Sequence, residues 1–422
     1  YRQNKGFDHL DVALSVGVQQ MVYADNGAAG VMFSIDTESG FEDAVFITGA
    51  YGLGENVVQG AVNPDEYYVF KPLLKEGKDA LIRRKLGDKA LRMVYDQSGD
   101  QKNLPVPQSE RQQFVLSDEE ALTLARWSVA VEEHYSRVYG QYTPMDMEWA
   151  RDQDTGELFM LQARPETVHA GKKTDLLRSF HLNESGEVLV EGRSVGAAIA
   201  QGPVRVINSP AELKGFNPGD VLVTDMTDPD WEPIMKQAAA IVTNRGGRTC
   251  HAAIVSRELG IPAVGGTGDA TAALEPDQPV TISCAEGDTG YVYAGYLDYA
   301  EEDLALDEAS LPDSVDLMMN VANPERAFTF ARLPSAGVGL ARMEFVVNNE
   351  IAVHPLALLY PERVDGHTRA EIRRRTAAFA SNRDFFVRTL SEGLATIAAS
   401  FWPKDVIVRM SDFKSNEYAN LI

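Results

Sequence analysis

The residues Thr243-Asn244-Arg245-Gly246-Gly247-Arg248-Thr249-Cys250-His251 place one imidazole at the end of a glycine-rich, doubly cationic turn. Residues 238–242 before it are apolar; 252–259 after it have helical character and stop at Gly260 and Pro262. The order is strand, loop, helix, strand, with His251 at the loop-to-helix junction. Gly246 and Gly247 permit backbone angles or close approaches that bulkier residues resist. The first-turn amides of a helix lack intrahelical partners and favour an anion. A histidine there can carry a phosphoryl group as a covalent intermediate. The same position also suits an ordinary polar or capping residue. Thr249 suits a cap or loop brace, and Cys250 a packing residue.

Two other groups carry chemistry. Asp146-Met147-Glu148-Trp149-Ala150 alternates, 152–156 turn, and 157–164 return, which predicts a hairpin. Glu148 and Gln162 then face one side of paired strands, near Arg164. Two oxygen ligands beside an arginine suit Mg²⁺ and a polyphosphate. A polar sheet face with a surface pair fits the same pattern. Farther on, Arg342 and Arg409 end strand-like runs, with Glu344 nearby. Two guanidinium groups suit a substrate bearing phosphate and carboxylate; structural ion pairs fit as well.

Three segments must position these groups. In the first, alternation predicts strands over 9–21, 30–35, 46–50 and 67–70, and a weaker one over 88–94. A helix is predicted over 117–139, with Ser117 or Asp118 as cap and Glu120 three residues after Ser117. In the middle segment, 189–200 reads as a glycine-containing opening loop. Strands follow over 202–207, 221–224, 240–243, 280–283 and 289–293, with a short helix over 229–238, in a compact α/β unit. Residues 170–175 are polar and 298–314 acidic, so both flanks read as linkers. The last segment has strands over 315–320, 337–342 and 405–410, and helices over 324–331 and 368–394. That alternation favours a parallel sheet with right-handed crossovers, as in part of a β/α barrel.

The 422 residues suffice for roughly two to four domains. Net charge is −23, from 62 acidic and 39 basic residues, which argues against broad nucleic-acid binding. Only Cys250 and Cys284 occur, so a disulfide framework is not expected and a reducing, cytoplasmic setting fits. No apolar run reaches membrane-spanning length, and no secretory signal is visible. The chain opens on Tyr1 and closes on Ile422, and both ends read as cut within larger domains of a longer enzyme.

The string around His251 resembles the phosphohistidine signature of the phosphoenolpyruvate (PEP)-utilising enzymes. The approach Thr227-Asp228-Pro229-Asp230-Trp231-Glu232-Pro233 resembles the synthase (pyruvate, water dikinase) branch. Met160-Leu161-Gln162-Ala163-Arg164-Pro165 resembles the end of that family's ATP-grasp domain, and Gly49-Ala50-Tyr51-Gly52-Leu53-Gly54-Glu55 and Asn63-Pro64-Asp65 also resemble the family pattern. The run from Gly337 to Glu344 resembles the GIGL-R-x-E pattern of its barrel, with Met343 where relatives often hold threonine. Val408-Arg409-Met410-Ser411-Asp412 resembles the next arginine-bearing strand.

The resemblance implies an α/β multidomain chain. It comprises the C-terminal part of an ATP-grasp domain (1–168), a swivelling phosphohistidine domain (187–296), a linker (297–314) and the N-terminal part of a PEP/pyruvate-binding (β/α)8 TIM barrel (315–422). It implies that His251 is phosphorylated during turnover. Glu148 and Gln162 would contact the ATP–Mg²⁺ complex, Arg164 the phosphates, and Arg342 and Arg409 PEP or pyruvate. Thr249 matches the target of a bifunctional regulatory kinase–phosphorylase, and a barrel-mediated homodimer is implied. The implied reaction converts ATP, pyruvate and water to AMP, PEP and phosphate. The alternatives are a phosphate-dependent dikinase and, for a fragment, an isolated phosphocarrier or interaction module. The early ATP-grasp half and the later Mg²⁺-binding acids and proton-transfer cysteine of the barrel have no counterpart here. Cys284, in the carrier segment, does not replace that cysteine.

Overall fold

Segments buried on both faces, β1 (Ala28–Phe33), β2 (Ala44–Tyr51) and β3 (Asp65–Phe70), form an antiparallel sheet with the more exposed β4 (Leu81–Lys85). A side hairpin, β5 (Leu91–Tyr95) and β6 (Gln101–Pro105), follows. The expected hairpin then forms as β7 (Met145–Arg151) and β8 (Leu158–Pro165), giving the order β4-β3-β2-β1-β7-β8. The computed structural model describes residues 16–166, 176–209, 216–248, 250–305, 312, 314–411 and 421. Residues 16–21 form no strand, so the expected strand over 9–21 is corrected there; its earlier part lies outside the described residues.

The helix Asp118–Tyr139 covers one face of this sheet. Leu124, Ala125 and Val129 pack on Ile47, Tyr67, Met147 and Trp149, and Trp149 Nε1 donates to the Thr48 carbonyl at 3.1 Å. Ser117 and Glu120 form the expected reciprocal capping box. Cross-strand partners share a face, so the register puts Val31, Thr48, Glu66, Lys85, Glu148 and Gln162 together on the opposite face.

The middle segment is a closed seven-stranded barrel. Its strands are β10 (Val188–Val195), β11 (Ile199–Val206), β12 (Val221–Thr224), β13 (Ala240–Thr243), β14 (Ala263–Gly265), β15 (Pro279–Ser283) and β16 (Thr289–Ala294). Before it runs β9 (Leu176–Leu182), and after it β17 (Tyr299–Ala305). Strands β11 to β14 pair in parallel and the remaining pairs are antiparallel. Val190, Val204, Val221, Val242, Val264, Ile282 and Val292, one from each strand, fill the interior. Outside, Ala252, Ala253 and Val255 of the helix His251–Leu259 pack with Leu222 and Ile241.

Two expectations change here. Residues 189–200 are mostly strand rather than an opening loop. Gly192 lies where a Cβ would come 2.6 Å from the Gly265 carbonyl, so it permits close strand approach instead of marking a turn. The acidic flank is also not a free linker over 299–305: β17 pairs with β9 along its whole length, as in Glu301 opposite Phe180. Residues 170–175, 306–311 and 313 lie outside the described residues.

In the last segment, β18 (Met318–Val321), β19 (Gly337–Arg342) and β20 (Asp405–Arg409) form the expected parallel sheet, order β18-β19-β20. The long helix divides into Gly366–Thr376 and Asn382–Ser400. Ser381 is extended and its hydroxyl accepts from the Asp384 amide, which starts the second helix afresh. Among the described residues these three strands do not close into a β/α barrel, and no helix is long and apolar enough to cross a membrane.

Removing the Ser117 cap should cost about 1 kcal/mol in the helix that backs the Glu148 sheet. We expect Ser117→Ala to speed amide exchange over 118–120 while barrel amides are unaffected. Unchanged exchange would count against the cap.

Candidate functional site

His251 opens its helix. Cys250 precedes it in extended backbone without a side-chain cap. The imidazole Nδ1 lies 3.1 Å from the hydroxyl of buried Thr227, which sits between β12 and the short helix Glu232–Met235. The loop is pinned from below. The Asn244 side chain donates to Thr271 Oγ1 at 2.7 Å and accepts from the Thr271 amide at 3.0 Å, and Arg245 pairs with Asp225 at 3.0 Å. Burial raises the Cys250 thiol, so it stays protonated and packs. Thr249 lies outside the described residues.

The loop is seated on the first unit. Gly60, at φ 77°, faces Gly246 and Cys250: a Cβ on it would collide with Cys250 Cβ and reach within 2.8 Å of Gly246 Cα. A Cβ on Gly247 would lie 3.5 Å from Pro64 Cδ, and one on Gly266 3.2 Å from Asn63 Oδ1. Residues 60–64, including Asn63-Pro64, are therefore the surface against which the His251 loop rests.

On the same unit, Glu148 and Gln162 are direct cross-strand partners, and Asp146 faces Arg164 in the adjoining pair. Arg164 Nε donates to Asp146 Oδ2 at 2.8 Å. The Glu148 carboxyl is raised by burial and by the Asp146 charge, offset in part by Arg164. Two carboxylates and an amide oxygen on one strip thus carry more negative charge than one arginine balances. Among the described residues no group of three or more histidine, cysteine or acidic side chains forms a ready metal cage. The strip fits a cation that keeps most of its ligands from water or phosphate, as Mg²⁺ does.

In the third unit Arg342 and Arg409 are register partners on adjacent parallel strands. Arg409 donates to Glu344 at 2.8 Å, while Arg342 Nε is buried without a hydrogen-bond partner among the described residues. Glu344, nearby in sequence, thus pairs with Arg409.

Sequence reasoning missed an ionic cluster where the three units meet. Asp288, just before β16, accepts from Arg248 beside the His251 loop and from Lys85 at 2.8 Å. Arg193 of β10 and Arg83 of β4 approach it at 3.5 and 3.8 Å. Arg83 also donates to Glu325 of the third unit at 2.9 Å. Arg248, one of the two cations of the turn, is committed to Asp288. A second contact joins the units: Arg257, on the His251 helix, donates to Glu38 through Nε at 3.1 Å. Burial pushes Glu66 up, but Arg193, Arg248, Lys85 and Arg83 outweigh it and hold the carboxyl at about 2. No local motif marks this cluster, because its partners lie far apart in sequence. Thr227 was within the quoted Thr227–Pro233 string, but its alignment with the imidazole needed the fold.

Comparison with known proteins bears on this geometry. Residues 1–181 match the family described as pyruvate phosphate dikinase, AMP/ATP-binding domain. Residues 216–287, which contain the His251 loop, match the PEP-utilising enzyme, mobile domain. The chain belongs to the PEP-utilising enzyme family. Within that family it is 56% identical over 427 residues to a phosphoenolpyruvate synthase of Synechocystis sp., covering 100% of this chain and 52% of the relative. It is 55% identical over 427 residues to the Escherichia coli K12 protein of that name, covering 100% and 53%. The Aquifex aeolicus protein is 48% identical over 475 residues, covering 100% and 55%. The chain spans about half the length of these PEP-utilising relatives.

Two outcomes follow from the seating. Gly60→Ala should unseat the His251 loop while leaving both units folded, read as loss of exchange protection at residues 60–64; intact protection would contradict the contact. Glu66 is held below its unfolded value of 4.5, so its contribution is complete above that pH. It fades as pH falls from about 4.5 toward 2, and amounts to about 3 kcal/mol. Glu66→Gln should therefore destabilise strongly at pH 6 and little near pH 2, measured by denaturant melts; a pH-independent effect would contradict it.

Proposed function

We propose that this chain carries the phosphohistidine relay of a synthase-type PEP-utilising enzyme, with His251 as the carrier. The observation that supports this best is the His251 ring, held by Thr227 at a helix start and seated on the sheet unit that bears Glu148 and Gln162. When Nδ1–H donates to Thr227 Oγ1, the attacking lone pair is the one on Nε2. That lone pair forms an N–P bond with the β-phosphorus of ATP, and the α–β bridging P–O bond breaks to release AMP. Water then cleaves the outer phosphate as inorganic phosphate. The remaining phosphoryl passes to the enolate oxygen of pyruvate, regenerating neutral His251 and giving PEP.

The units take the roles of an ATP-grasp portion, a swivelling carrier and the beginning of a (β/α)8 barrel. Asp146, Glu148 and Gln162 would hold Mg²⁺, which neutralises phosphate charge when bound, and Arg164 would engage the nucleotide phosphates. Arg342 and Arg409 would bind the carboxylate and phosphate of PEP. One histidine cannot remain beside both stations, and near-contact geometry is needed at each, so the barrel must move between them. Thr249, two residues before the carrier, is proposed as the target of a regulatory kinase–phosphorylase, because a phosphate there places negative charge beside the transfer site.

The test is covalent labelling. We expect [³²P]PEP with Mg²⁺ to leave acid-labile phosphate on the chain, none on His251→Asn, and about tenfold slower labelling of Thr227→Val, the equivalent of one lost hydrogen bond. Label that survives His251→Asn would overturn the carrier assignment. A Thr249→Glu chain should label poorly, and normal labelling would remove the regulatory reading. In the whole protein, turnover of ATP and pyruvate without added phosphate separates the synthase from the phosphate-dependent dikinase.

A further inference from the structure

A cavity of about 410 Å³ lies between the barrel, the β9–β17 ribbon and the helical turns at 324–333. None of the residues proposed above for phosphoryl transfer lines it. Its size matches small-molecule pockets, which pair apolar walls with a few converging polar groups. Phe180, Ala197, Phe330 and Leu333 supply the apolar surface.

The polar side holds both carboxylates and guanidinium groups, and one of the guanidinium groups stands apart from the ion pairs. The Arg326 guanidinium lies 4.8 Å from the Phe330 ring centroid. It has no ion-pair partner among the described residues, and burial lowers its pKa. Arg248, 9% exposed, borders the same wall with its guanidinium committed to Asp288. Three carboxylates of the lining, buried Asp288 and half-buried Glu38 and Glu325, are already engaged: Glu38 by Arg257 and the Gly196 amide, Asp288 by Lys85 and Arg248, Glu325 by Arg83. Glu302, at the rim, faces solvent.

We propose that this cavity is a binding site for a small organic anion with a flat apolar body. Its acid group meets Arg326, and its body lies against Phe330, Phe180 and Leu333. A guanidinium already stacked on an aromatic ring recognises such an anion by charge and by face. All three units contribute walls, so an occupant favours the arrangement that brings them together.

Benzoate and phenyl phosphate serve as anionic probes and benzyl alcohol as the neutral probe of similar shape, with the full chain observed by saturation-transfer NMR and thermal melting. Both anions should bind at millimolar concentration and raise the melting midpoint, and the alcohol should bind at least about tenfold more weakly. Arg326→Gln and the cavity-filling Leu333→Trp should each abolish the anion signal, while Arg326→Lys and His251→Asn retain it. Circular dichroism confirms that each variant is folded. Absence of anion binding, equal binding of the alcohol, or undiminished binding by folded Arg326→Gln would each overturn the site.

Discussion

Asp288 is the constraint on which the arrangement of this protein depends. Its carboxylate is buried among Arg248, Lys85, Arg193 and Arg83, contributed by the barrel and by the first sheet. Burying charge is expensive unless every partner is in place. Such a cluster contributes little net stability against an apolar replacement, but it penalises any arrangement that leaves one member unpaired. It therefore specifies orientation. Arg248 sits three residues before His251, so the same cluster that aligns the units also aligns the loop bearing the imidazole.

Around that cluster the remaining contacts are steric. Gly60, Gly246 and Cys250 meet at separations that no side chain on the glycines would tolerate. Thr227 orients the ring, and the Asn244–Thr271 bonds hold the loop base. A buried charge cluster breaks as a unit when water enters. Glycine contacts carry little cohesive energy. Together they describe a well-specified docked state, one of the two stations that the proposed carrier role calls for.

Much of this was legible in the sequence where the physics is local. The hairpin with Glu148 opposite Gln162 follows from period-two alternation, the Asp118–Tyr139 helix from its capping box, and the His251 loop from glycines before a helical run. Readings failed where pairing is non-local. Gly192 looked like loop punctuation because the strand it lets approach, β14, lies some seventy residues on, and barrel closure has no local signature. Glu301 and Glu302 looked like a solvated linker because acids are usual there, yet backbone pairing with β9 makes that segment a strand. The run 368–394 looked like one helix, but the Ser381 hydroxyl accepts from the Asp384 amide and starts a second one. The Asp288 cluster was invisible because Lys85 is separated from it by 203 positions. Its importance comes from partners that only the fold brings together.

The central claim, that the buried Asp288 cluster holds the His251 barrel against the first sheet, is tested most directly by a distance between the two units. Spin labels on cysteines introduced at exposed Lys102 and Pro218 report that distance by double electron–electron resonance; native Cys250 and Cys284 are buried. The account predicts one narrow distance in the otherwise unaltered chain and a broad or bimodal distribution in Asp288→Asn. An unchanged narrow distance in folded Asp288→Asn would contradict it.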